Sequence, residues 1–76
     1  MTAVRFHREL YAVTALDQAI ELYAQHADIA RADDGEHVVV TIDSPRPGRA
    51  EKVARELGNY ALGLTIQARV NTAVAR

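Results

Sequence analysis

The sequence predicts an α+β fold of order β-α-β-β-α, a small three-stranded sheet packed with two helices. Two observations carry this. Apolar and polar residues alternate over 4–7 and again over 37–43, the period of two expected of a strand with one buried face. Two other stretches, 14–27 and 49–70, repeat apolar residues every three or four positions, as an amphipathic helix does.

The first strand takes Val4 and Phe6 to one side and Arg5 and His7 to the other. Arg8 and Glu9 mark its polar end. The first helix follows, with Thr14 as the expected N-cap and Asp17 three residues on, where a carboxylate favours the positive helix start. Leu16, Ala19, Ile20, Tyr23, Ala24 and Ala27 form its apolar stripe, and Asp17, Gln18, Glu21 and Gln25 cover the opposite face.

A hairpin comes next. Asp34-Gly35 is a strong turn signal, because a type I′ turn needs positive φ at both central positions. In the following arm Val38, Val40 and Ile42 face one way and His37, Val39, Thr41 and Asp43 the other. The preceding arm, 28–33, holds only Ile29 as a bulky apolar residue and reads as an edge strand guarded by its charges. Two prolines and a glycine in Ser44-Pro45-Arg46-Pro47-Gly48 end the hairpin.

The last helix spans 49–70. Val53, Leu57, Tyr60, Ala61, Leu64 and Ala68 make its main stripe, and Leu62, Ile66 and Val70 a second one on another side. A surface helix needs one stripe only, so the second calls for a cover. Gly58 and Gly63 interrupt the helical pattern, each costing about 1 kcal/mol against alanine. Close approach of another element is one explanation for them and sequence drift the other. Asn59 and Arg69 lie ten residues apart, close to three turns, which puts them on one side.

Length and composition narrow the function. The chain of 76 residues is read as one domain, 1–76. A domain this short buries about 60% of its unfolded surface and usually leans on a staple. There is no cysteine, so disulfides and thiolate zinc sites drop out and association is the staple left. A net charge of −1, with nine basic residues scattered among ten acids, lacks the basic stripe of a nucleic-acid binder. No apolar run spans a bilayer and no secretory signal opens the chain, which reads as cytoplasmic, off the membrane.

Catalytic chemistry is hard to find. His7, His26 and His37 have no spacing that sets two imidazoles on one helix face, and no metal site or cofactor is expected. Asp33 and Asp34 are turn residues rather than an opposed pair of carboxylates. Ser44 lacks a nucleophile elbow. Tyr11 and Tyr23 read as core residues with wet hydroxyls.

A strand ending in Leu10-Tyr11, a helix carrying Ala19-Ile20, a hairpin, and a long helix with Glu56-Leu57-Gly58-Asn59, Leu62 and Arg69-Val70 together resemble the HxsD-like proteins of His-Xaa-Ser repeat systems. The resemblance runs diffusely over about 4–70. Leu57 stands where that family usually has phenylalanine, and Gly63 where an acid is usual. It implies a non-catalytic accessory protein that binds a precursor peptide or protein partner beside a radical SAM enzyme. The expected partner-binding residues are Asn59, Leu62, Ile66, Arg69 and Val70, with the edge at 28–33 as a second place for an extended peptide. The alternative is a small structural homodimer that buries its surplus helix face and takes no peptide.

Overall fold

Three strands and two helices follow one another as β1 (Thr2–His7), α1 (Val13–Tyr23), β2 (Asp28–Asp34), β3 (His37–Asp43) and α2 (Arg49–Val74). The computed structural model describes residues 1–74, with side chains through residue 70. The fold is the expected α+β one. The strand order is β1-β3-β2, and β3 is antiparallel to both neighbours. Strands β1 and β2 therefore run in the same direction with β3 between them, and α1 makes the crossover.

Register explains the core. Phe6 stands opposite Val38, Val4 opposite Val40, and Ile29 opposite Ile42, so the inward sets of all three strands share one face. Both helices cover that face. Leu16 and Ala19 from α1 and Val53, Leu57 and Ala61 from α2 close over Phe6, Val38, Val40 and Ile42. Phe6 and Tyr11 meet edge to face at 4.9 Å, and α2 crosses the Phe6 ring at Gly58, where a Cβ would sit 3.4 Å from Cε1. A Cβ at that distance makes ordinary contact, so the approach of α2 to Phe6 does not by itself demand glycine. Gly63 faces open space.

Several local expectations change. Helix α1 starts at Val13 with Ala12 as its cap residue, and no side chain caps it. Thr14 lies inside the helix, and Asp17 bonds Arg31 instead of the helix start. The cap residue is held from across the fold: Ala12 N–H donates to Thr65 Oγ1 at 3.0 Å, and the Thr65 hydroxyl donates to the Ala61 carbonyl at 2.8 Å. Helix α1 also ends at Tyr23, where the His26 amide turns back to the Tyr23 carbonyl at 2.9 Å. Ala24 is exposed and Ala27 packs on the core from the approach to β2.

The hairpin turn is shifted by one residue. Asp34 pairs with His37, so Gly35 and Glu36 are the central residues. Only Gly35, at φ 60°, is left-handed. Type I′ is thereby excluded, and a glycine at the first central position is what type II′ requires.

Helix α2 is the long element. Its 26 residues span about 39 Å at 1.5 Å each, against about 24 Å for a seven-residue strand. The core therefore runs out along it. Val53, Leu57, Ala61 and Thr65 are buried, whereas Tyr60 and Ala68, expected in the main stripe, are exposed.

Candidate docking surface

The outer face of α2 bears the expected second stripe, and nothing in the described residues covers it. Leu62, Ile66 and Val70 are 38%, 52% and 53% exposed. Asn59, also exposed, precedes them on the same line. The opposite face of the helix is spent on the core, so this one is left to solvent.

Two further residues continue the line upstream. Lys52, Arg55, Asn59, Leu62, Ile66 and Val70 follow one another by three, four, three, four and four residues. Those five steps average 3.6, the helical repeat, so the six side chains stay on one face about 80° wide. All six are exposed. Lys52 and Arg55 escaped the sequence reading, which weighed charge over the whole chain; the step pattern was the signal that would have found them.

Arg69 does not join the seam. Seven residues after Leu62, Arg69 lies about 20° from it around the helix, at the flank of the seam. Its guanidinium turns inward and donates to the Glu9 carbonyl at 2.7 Å, pinning the loop between β1 and α1. Arg69, Ala68, Thr65 and Ala12 line a shallow cavity of about 260 Å³ there.

The edge at 28–33 is present as the free side of β2, and it is guarded as expected. Arg31 reaches Asp17 of α1 and, at 2.6 Å, Asp33. Arg8 of the loop after β1 adds a bridge to Asp33 at 2.8 Å. The hydrogen bonds to Asp33, and then to Asp17, hold the Arg31 guanidinium proton more tightly than usual. The topology creates a second free edge on β1, which the sequence reading did not anticipate because it depends on β1 pairing with β3.

The sheet face away from the helices carries charged, imidazole and small side chains. Ala3, Arg5 and His7 of β1, Thr41, Val39 and His37 of β3, and Ala30, Ala32 and Asp34 of β2 make three cross-strand rows. Arg5 reaches across β3 to Asp34 at 3.3 Å. His7 and His37 stand directly opposite, rings edge to face at 4.8 Å. His7 Nδ1 accepts the Glu9 amide at 3.1 Å, so its Nε2 points toward Glu36, 3.7 Å away. No spacing in the sequence announces this pair, because thirty residues separate its members. Among the described residues no group of three or more His, Cys, Asp or Glu side chains is arranged to hold a metal ion.

His26 is placed apart from the other two, past the end of α1. With Tyr23, Arg49, Lys52, Val53 and Glu56 it lines a cavity of about 290 Å³ between the helices. Arg49 Nε donates to the His26 carbonyl at 3.4 Å, tying α2 to the turn after α1.

The structure thus defines a small α+β fold with an exposed helical seam on α2. No helix among the described residues is long and apolar enough to cross a membrane. No protein-family model matches the chain, and no curated protein or solved structure matches it either.

Proposed function

We propose that this chain is a non-catalytic adaptor that docks a protein or peptide partner along the outer face of α2. The observation that supports it is the exposure of Leu62, Ile66 and Val70 in one line on a helix that outruns the sheet. Three branched apolar side chains held on a rigid helix present apolar area at little ordering cost to the chain itself. A narrow seam of that kind suits a partner helix better than a small ligand, which needs a concave site.

The resemblance to HxsD-like proteins supports a setting for this adaptor, the maturation of a ribosomally made peptide beside a radical SAM enzyme. The partners are then that enzyme or its precursor peptide, and the gene is expected beside theirs. Hydrogen exchange of the chain with and without each candidate partner tests the reading. Slowed exchange along 59–70 supports docking on α2. Protection confined to β1 or β2 moves the site to a sheet edge, and unchanged exchange with both partners removes the maturation setting.

A further inference from the structure

We infer that the seam on α2 recognises a helical protein segment that is acidic at one end and apolar at the other. This rests on the docking reading and specifies its partner. The chain as a whole carries a net charge of −1, yet among the described residues the unpaired cations are not spread evenly. Arg5, Arg8 and Arg31 are each bridged to a carboxylate, and Arg69 is held by the Glu9 carbonyl. Among the described residues Arg46, Arg49, Lys52 and Arg55 remain, all within ten residues; none forms an ion pair, and only Arg49 is held, by the His26 carbonyl. Two of these four, Lys52 and Arg55, head the same seam that ends in Leu62, Ile66 and Val70. The line carries two cations at one end and three apolar side chains at the other, with Asn59 at the boundary and the exposed Glu51 and Glu56 flanking the cations.

The shape of the seam selects the class of occupant. Its alternating steps of three and four residues make a narrow face about 80° wide, as in a coiled-coil contact, and a lone polar residue in such a seam sets register. A helix that lies in a bilayer uses a broader apolar face, usually with Trp or Phe. The chain has no Trp, and its one Phe is buried in the core.

A second copy of the chain fits the apolar half but not the cationic half. No Asp or Glu follows Glu56 in the sequence. An antiparallel copy overlapping at Ile66 would set Leu62 against Val70 and put no residue of 49–70 opposite Lys52 or Arg55. A parallel copy would set Lys52 against Lys52 and Arg55 against Arg55, and like charges in apposition oppose association. Carboxylates on a different chain satisfy both halves together.

The test uses the full chain, isotope-labelled, and synthetic amphipathic helices of about 20 residues with a Leu seam. One set carries three Glu at one end of the seam, made in both orders along the chain. Matched sets carry Gln or Lys in place of Glu. Amide shifts along 49–70 are expected with a Glu peptide, with affinity about tenfold above the Gln peptide and falling as salt rises from about 50 to 500 mM. The double variant K52E/R55E is expected to reverse the order in favour of the Lys peptide, and I66Q/V70Q to abolish all binding while leaving the melting transition in place.

Equal affinity for Glu and Gln peptides overturns the acidic-partner inference and leaves docking on α2 standing. Failure of every peptide to shift the seam counts against the docking reading itself. Binding to phosphatidylglycerol vesicles without any peptide binding overturns the inference in favour of a lipid surface. A sedimenting dimer that I66E dissociates overturns it in favour of a second copy.

Discussion

Thr65 Oγ1 accepts the backbone N–H of Ala12 at 3.0 Å across 53 residues of sequence. It is the one buried polar side chain among the described residues, 1% exposed. The bond does for α1 what a capping side chain would do locally: it fixes the cap residue where the chain enters the helix. Because the same hydroxyl donates to the Ala61 carbonyl, it is satisfied on both sides.

Replacing Thr65 by Val keeps the shape and removes both bonds. Ala12 N–H then loses its partner in a half-buried place, and the expected loss is about 1–3 kcal/mol. Thr65→Ser retains the hydroxyl and gives up one methyl, a loss of about 1 kcal/mol. Urea unfolding monitored by circular dichroism should rank wild type above Ser and Ser above Val. A Val variant as stable as wild type would show that the bond contributes nothing to seating α1.

The two helical glycines should separate under substitution. Gly63→Ala meets open space and is expected to stabilise the helix by about 1 kcal/mol, raising the melting temperature by roughly 4–8 °C. Gly58→Ala places its methyl in ordinary contact with the Phe6 ring and should gain less. Gly58→Leu cannot be accommodated over that ring and should destabilise. A Gly58→Leu protein that melts with the wild type would rule out the close approach of α2 to β1.

At the hairpin, Gly35 holds φ 60°. An L-alanine there pays the left-handed penalty of about 1–2 kcal/mol, whereas D-alanine, introduced by total synthesis, favours positive φ and should stabilise the turn. Opposite stability changes for the two enantiomers are the expected outcome. Equal changes would mean that the turn relaxes to another type.

Arg31 forks between Asp17 of α1 and Asp33 of β2. Both carboxylates are more than half exposed, so solvent screening keeps the contribution small. Arg31→Gln should cost about 0.5–1 kcal/mol at low salt and almost nothing at about 1 M. Arg31→Lys should recover little of it, because one ammonium cannot reproduce the two-pronged geometry. A salt-independent loss would point to packing of the Arg31 stem as the source instead.

How much of this was open to inspection in the linear chain follows from the range of each interaction. Val38, Val40 and Ile42 announce a strand because alternation is a property of neighbours. Leu16 and Ala19, or Val53, Leu57 and Ala61, announce helices for the same reason. The apolar line Leu62, Ile66 and Val70 was equally plain, since 3.6-residue spacing is local. The sequence predicts a longer α1 capped by Thr14, which has the right chemistry for a cap, while the real hold on Ala12 comes from Thr65.

The sequence by itself determined the order of elements, the faces that must be buried and the excess apolar line on the last helix. These depend on periodicities that a few consecutive residues carry. The tertiary structure alone decided the strand order, the meeting of His7 with His37, the inward turn of Arg69 to Glu9, and which cations stay unpaired along α2. Each of those depends on strand register or helix docking, where residues thirty to sixty positions apart come together, and no local pattern encodes that distance.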